Sequence, residues 1–482
     1  MELRFITDAG QGRPNDNDRK AIRSHVMKGK NLGRWRSLGS RPRQKRLKQL
    51  EEHRKTSSSD YRVSQTSAIS SLDLATSPGT LGCVPRQLGS IASTMSLADS
   101  VEPRIFDIVL RFSSISKQLL FSIEQCIFFE RRVEHWVAPL ALDAAYLHAN
   151  IASSLYYRDV ILSPTTSRSD QRTRYYHHTK AVSLLRERIN SMNEDLQLSN
   201  NTVSIILILA GQAFIAGNLK TAMQHLEGIH TIINLRGGFS AFKGNEKLAT
   251  EILRCDLGMV MHSGTESLSF PTLLDNPWPY PSLSTFLDDS TRALNPAQQL
   301  ADLTGMPHDH RLTSIWGTMF EFCSVINLAT ASQRRITMET FLNSMASTLY
   351  RLVDMHFTPS SVNEVIRLGL LSLCCSVFLH WQRLGVSYPY LVSLVQDSFP
   401  VLNGKDLPIS KRLSLWLLMI ASISVLSPSD EDWVQSLLRQ TADVLGLDSW
   451  DKARSLLSPM MWIGYIHDKT GKRVFESALL RG

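Results

Sequence analysis

The residues best equipped for chemistry in this chain lie among its first fifty. Arg41, Arg43, Lys45, Arg46 and Lys48 crowd the stretch RPRQKRLKQLEEHRK, and Arg34-Trp35-Arg36 precedes it. Guanidinium and ammonium groups at this density neutralise phosphates, and an indole between two arginines stacks on a base. Phosphate contacts of this kind give affinity without sequence choice. The same residues also suit an import receptor that reads basic clusters. A solvated basic tail is the third reading, and Trp35 packed on the body is the alternative to stacking.

Metal and catalytic chemistry find less support. His25 has no second ligand in helical register. His225 and His230 are five apart and so do not share a helix face. His308-Asp309-His310 sits in a loop with Pro and Gly and lacks a spaced partner, so structural or solvent roles are expected. GxSxG, HExxH and GxxxxGK[ST] are all missing from the sequence. Gly471-Lys472 is followed by Arg473, and Gly10-x-Gly12 does not follow a strand. The expectation is no catalytic residue, no cofactor and no metal, hence not an enzyme.

Which elements hold these residues? The net charge of the 482 residues is +8, unevenly spread. Residues 1–55 carry 16 Lys/Arg against 6 Asp/Glu, a net of +10, which leaves −2 for the rest. Such asymmetry points to a polyanionic partner or a nuclear import signal. The six cysteines are scattered and most lie in apolar helical surroundings, which argues for a reducing compartment. MELRFITDAG has no apolar core for a secretory signal, and Asp8, Asp16 and Asp18 argue against a mitochondrial presequence. The longest apolar runs, 203–210 and 413–426, are shorter than the roughly 18–20 residues a bilayer span needs. No membrane association is expected.

Three segments follow: a basic arm over 1–55, a linker over 56–100 and a helical body over 101–482. Seventeen of the 45 residues from 56 to 100 are Ser or Thr, too polar to offset the entropy of ordering, so the linker is expected to be disordered. From 101 onward apolar residues recur at three-to-four spacing. The pattern predicts helices over 104–132, 137–160, 172–194, 201–217, 219–236, 246–262, 312–329, 338–354, 361–384, 409–426, 430–446 and 449–465. Breaks are predicted at 271–281 and 296–310. The fold class is therefore all-α, stacked antiparallel helices behind a disordered basic arm and linker.

One stretch shows the local logic. Asn201 is a candidate cap for a helix along Val203, Ile206, Leu207 and Ala210, and Gly217-Asn218 turns the chain. The next helix buries Leu219, Ala222, Leu226, Ile229 and Ile233. Gly237 follows it, where a left-handed conformation suits glycine. Arg236 is expected to meet its own helix's last carbonyls, with an anionic ligand or partner as the alternative. Cys374-Cys375 is expected in the core.

Residues 201–238, with NxVxIILxLA, Gly217-Asn218, Ala222, His225-Leu226, Gly228 and Arg236-Gly237-Gly238, resemble the fungal-specific transcription factor domain. So do Arg254, Asp256 and Phe270-Pro271. The opening, with Phe5-Ile6, Pro14 and Arg23-Ser24-His25-Val26, is similar to a subset of that family in which this motif replaces the usual DNA-binding module. Many members carry six cysteines that hold two zinc ions at close spacing. Here Cys83 comes first and no CxxC pair occurs. The resemblance implies transcriptional regulation in a fungal nucleus through a regulatory helical domain that senses an effector, masks an activation function or dimerises. The implied partners are DNA bound non-specifically or through another protein, an import receptor, and protein partners or a second copy at the helical domain. A non-DNA-binding scaffold recruited by a partner remains open.

Overall fold

The computed structural model describes residues 96–130, 133–161, 168–268, 278–287, 295–403, 408–426 and 431–480. These all fall in one unit, 86–482. The basic arm, the Arg23-Ser24-His25-Val26 motif, Phe270-Pro271 and nearly all of the expected linker lie outside the described residues.

The body is all-α. In chain order the helices are α1 (Pro103–Leu120), α2 (Ala138–Leu142), α3 (Ala144–Ile161), α4 (Arg168–Ile189), α5 (Glu194–Gln197), α6 (Asn200–Ile215), α7 (Leu219–Leu235) and α8 (Glu246–Ser263). Then come α9 (Pro296–Thr304), α10 (His310–Ser332), α11 (Met338–Asp354), α12 (Val362–Cys374), α13 (Pro389–Ser398), α14 (Lys411–Ser424), α15 (Glu431–Leu445), α16 (Trp450–Leu457) and α17 (Gly464–Leu480). Among the described residues one strand pairing occurs: β1 (Ile127–Phe128) runs parallel to β2 (Ile336–Thr337), with Ile127 opposite Ile336.

Helix starts follow from side chains that satisfy first-turn amides. The Thr202 N–H donates to Ser199 Oγ (3.2 Å), the Thr221 N–H to Asn218 Oδ1 (3.3 Å) and the Glu364 N–H to Ser361 Oγ (3.2 Å). A cap of this kind contributes about 1 kcal/mol. Proline opens α1, α9 and α13, where its missing N–H costs nothing.

α3 packs against α1, α4 and α6, while α14 packs against α12, α15 and α17. α8 joins the two groups, touching α6 and α7 on one side and α11 and α13 on the other. Every position from Ile252 to Met261 is buried, as expected of a helix surrounded by neighbours on all sides. Gly258 lets the Trp381 ring lie directly on that helix, since a Cβ there would overlap the indole. The apolar stretch Val362–Leu379 is 89% buried inside the protein, which makes it a core helix; Glu194–Ile215 is also apolar by composition and is 44% buried.

Asp256 and Arg367, charged residues inside these core helices, are both held by hydrogen bonds. Asp256 accepts hydrogen bonds from Ser267 Oγ (2.6 Å), the Leu268 N–H (3.0 Å) and the Tyr350 hydroxyl (3.0 Å). Arg367 donates to both oxygens of Glu364, at 2.8 and 2.5 Å, and to the Leu352 carbonyl at 2.9 Å.

Several expectations need correction. The helix expected over 104–132 ends at Leu120, because the chain turns to place β1 beside β2, a partner the local pattern cannot reveal. The expected break at 296–310 contains α9, which Asn295 caps and Gly305 ends at φ 68°. The single helix expected over 449–465 is α16 alone, and α17 follows it. The stretch expected as one helix over 361–384 turns through a π segment, Cys375–Leu379, where His380 takes φ 51°. α13 had no counterpart in the expectations. Ser199, not Asn201, caps α6.

Candidate functional site

α6 and α7 form the expected hairpin, turned at Gly217-Asn218. At its open end the Gly238 N–H donates to the Ile233 carbonyl (2.9 Å) and the Gly237 N–H to the Asn234 carbonyl (3.0 Å). This stop requires left-handed backbone, and Gly237 and Gly238 supply φ 84° and 96°. Phe239 and Phe242 are thereby turned into the core. Arg236 does not meet its own helix's carbonyls. Its guanidinium reaches Asn200 Oδ1 (2.8 Å) and the Ala241 carbonyl (3.0 Å), and lies 4.2 Å from the Phe242 ring centroid. Of the signature residues, Arg236 ties the end of α7 to the start of α6, and Gly237 and Gly238 end α7.

α6 forms one wall of a cavity of about 240 Å³ between α1, α3 and α8. Phe112 and Tyr157 stack there with centroids 5.0 Å apart and planes 6° apart. Across it Phe214 meets Trp381 edge-on at 5.3 Å. Phe129, Glu130, His135, Asn245 and Lys247 border both this cavity and a neighbouring surface cleft of about 460 Å³.

Arg254 of α8 also lines the cavity and is 2% exposed. Its Nη2 donates to two carbonyls, Leu120 at the end of α1 and Leu379 (2.6 Å) at the end of the π segment. Helix C-termini carry partial negative charge, which explains how a guanidinium is tolerated so deep. Its Nε–H has no hydrogen-bond partner, and no ion pair to Arg254 occurs among the described residues. Burial pulls its pKa down to about 10, so it stays charged at neutral pH. Lys117 contributes a second cation, 4.2 Å above the Phe129 ring. Lys247 and Glu251, also on the wall, pair with each other at 2.7 Å. Cys255 stays a thiol, pushed up to about 12 by burial.

A second surface feature is a groove along α4, bordered by Arg172, Arg174, Tyr175, Tyr176, His178 and His225. Tyr175 and Tyr176 are 72% and 56% exposed. Burial, and then His178, lowers the pKa of His225, which keeps it neutral at physiological pH.

Of the residues singled out from sequence, Arg34, Trp35, Arg36, Arg41, Arg43, Lys45, Arg46 and Lys48 lie outside the described residues. His308 bridges Thr304 Oγ1 and Asn363 Oδ1, both at 2.6 Å, and Asp309 caps α10. Among the described residues no three His, Cys, Asp or Glu side chains form a metal-sized group. Cys374 and Cys375 are buried, as expected. The cavity itself went unforeseen. Its one signal was the charge of Arg254 which, with Asp256, interrupts the apolar run ILRCDLGMVM.

The helical body places the chain among all-α domains built around a buried central helix. The family model described as the fungal specific transcription factor domain matches residues 105–458, and the chain belongs to that family. A relative from Leptosphaeria maculans, described as a phomenoic acid biosynthesis cluster-specific transcriptional regulator, is 26% identical over 171 residues, or 33% of this chain. The match spans 31% of that relative's own length. No solved structure matches the chain. Family and relative together point to a transcription regulator.

Proposed function

We propose that this chain is a nuclear transcriptional regulator that acts through its helical body. Residues 1–55 serve import and contact with the DNA backbone, and 56–100 act as a linker. Family membership over 105–458 is the observation that carries this reading. No CxxC pair occurs in the 482 residues, so a six-cysteine zinc cluster within them is not the source of base reading. Neither the family nor the relative's name points to catalysis. The partners we assign are DNA held non-specifically or through another protein, an import receptor, and a protein at the helical body.

Chromatin occupancy of the tagged full chain tests this, beside a version without 1–55 that carries an independent import signal. Sharp peaks that vanish on truncation support placement by the arm. Peaks that survive it support recruitment through the helical body. No peaks for either nuclear form overturns the regulator reading.

The scaffold reading has one observation in its favour. The α4 groove exposes Tyr175 and Tyr176 beside Arg172 and, among the described residues, has no carboxylate on its wall, which suits an acidic peptide of a partner. A scaffold keeps its partners when Arg41, Arg43, Lys45 and Arg46 become Ala, and loses them when Tyr175 and Tyr176 do.

A further inference from the structure

α3 turns a polar face toward the interior. Asn150, Ser153 and Tyr157 are spaced three and four residues apart, so they share one face of that helix, and all three line the cavity beneath α6. Inward helix faces are normally apolar. Buried serines elsewhere in this protein donate to the carbonyl four residues back, as Ser344 does to Thr340 and Ser372 to Leu368, both at 2.8 Å. Ser153 is 7% exposed and makes no such bond. Among the described residues, neither its hydroxyl nor that of Tyr157 has a hydrogen-bond partner. Both oxygens are open to the space they line rather than sealed in the packing.

The rest of the setting suits a ring. Phe112 stacks on Tyr157, α6 supplies Leu207 and Ile208, and Phe214 meets Trp381. Close-packed interiors rarely leave a space larger than one water, whereas this one is about 240 Å³. Apolar lining with a few placed polar groups is the character of a small-molecule pocket.

The charges on the wall are answered within the protein. Lys247 pairs with Glu251 at 2.7 Å, and Arg254 donates to the Leu120 and Leu379 carbonyls. Lys117 sits over the Phe129 ring and shares the wall with Glu130. An ion of either sign would have to displace one of these arrangements, and burying an unpaired charge costs far more than burying a hydrogen-bonded hydroxyl or carbonyl. The occupant that fits is neutral.

We propose that this cavity binds a neutral molecule of one or two rings that carries a hydroxyl or carbonyl group. Its rings lie among the aromatic side chains, and its oxygen meets the hydroxyls of Ser153 and Tyr157. A hydroxyl can donate or accept, so the pair serves either group. The proposal deepens the regulator reading, because a filled cavity joins α3 to α6, and it rests on that reading only for its biological meaning.

Equilibrium dialysis of the purified full chain against 2-naphthol, naphthalene and 2-naphthoate tests the proposal. Naphthol binds. Naphthalene, without the oxygen, binds about two- to tenfold more weakly, the size of one net hydrogen bond, and naphthoate binds more weakly than either. The double variant Ser153→Ala, Tyr157→Phe keeps the ring that stacks on Phe112. It brings naphthol down to the affinity of naphthalene and leaves naphthalene unchanged. Gly211→Leu fills the cavity from α6: a Cβ there would lie 3.8 Å from the Tyr157 hydroxyl, an ordinary contact. That variant folds, by its melting temperature, and loses both neutral compounds. Naphthoate bound as tightly as naphthol overturns the neutral class. Naphthol undiminished in the double variant overturns the role of the two hydroxyls. Binding retained by Gly211→Leu overturns the location, and no binding by any of the three compounds overturns the proposal outright. Dialysis reads the cavity alone, whereas chromatin occupancy reads the regulator assignment, so either can fail without the other.

Discussion

The Ile463 backbone N–H donates to His467 Nδ1 across 3.0 Å, which fixes the tautomer of a buried histidine. With Nδ1 accepting, the neutral ring carries its proton on Nε2 and donates to Ser376 Oγ, 3.1 Å away. Protonation forces Nδ1 to give up its bond.

That geometry makes the fold acid-sensitive. Burial, and then His380, lowers the His467 pKa from 6.5 to about 3. Burial and the neighbouring His148 lower that of His177 to about 4. Both groups are depressed in the folded state, so their contribution is complete above about pH 6.5 and fades as pH falls toward the folded values. Each such histidine removes roughly 1.4 kcal/mol per pH unit within that window. Urea unfolding at pH 7, 6 and 5 should show the decline, and His467→Gln should flatten it.

Glu364 and Arg367 form a doubly hydrogen-bonded pair with side chains 7% and 6% exposed. Removing one partner strands a buried charge. Arg367→Met or Glu364→Gln should each cost about 3–5 kcal/mol, and the double replacement should cost less than the two added together. Denaturant midpoints of the three variants check this.

Gly258→Ala places a methyl group into the Trp381 ring. The indole has to move off α8, with an expected loss of about 1–3 kcal/mol. Thermal unfolding measures it, and a quenched or shifted tryptophan emission should accompany it.

Arg236→Ala removes the tie from the end of α7 to Asn200 at the start of α6. Without those hydrogen bonds and the stacking on Phe242, roughly 1–3 kcal/mol of destabilisation is expected. Hydrogen exchange should show it first in the amides of 200–215, with α14 unaffected.

Replacing Arg41, Arg43, Lys45 and Arg46 with Ala tests the arm. If it neutralises phosphates, the affinity for duplex DNA falls for every sequence alike. The slope of log K against log salt then shrinks by about 0.9 for each phosphate no longer neutralised. Anisotropy titrations over a range of salt read both.

Much of the body was legible because helices announce themselves locally. Val203, Ile206, Ala222, Leu226, Ile229 and Ile233 recur at helical spacing, and all six are buried. Gly237 showed its left-handed role for an equally local reason. What stayed hidden depends on distant partners. α1 ends at Leu120 because Ile127 meets Ile336, and no window of twenty residues contains both. Arg236 looked as if it would cap its own helix, yet Asn200 and Ala241 hold it. Arg254 stood out as a charge in an apolar run, but its carbonyl partners lie 134 and 125 residues away along the chain.

The position of α8 in the chain has a consequence for how the protein is made. Its neighbours α6 and α7 leave the ribosome before it, but α11 and α13 follow only after a further stretch of synthesis. Until they arrive, one side of Ile252–Met261 has nothing to cover it, and Arg254 waits for the Leu379 carbonyl. A nascent chain paused after residue 264 thus displays an apolar face that chaperones recognise, and closure of the core is a late, non-local event. Fragment 101–264 should bind an Hsp70-type holdase and aggregate without it, whereas the full chain, once released, should not.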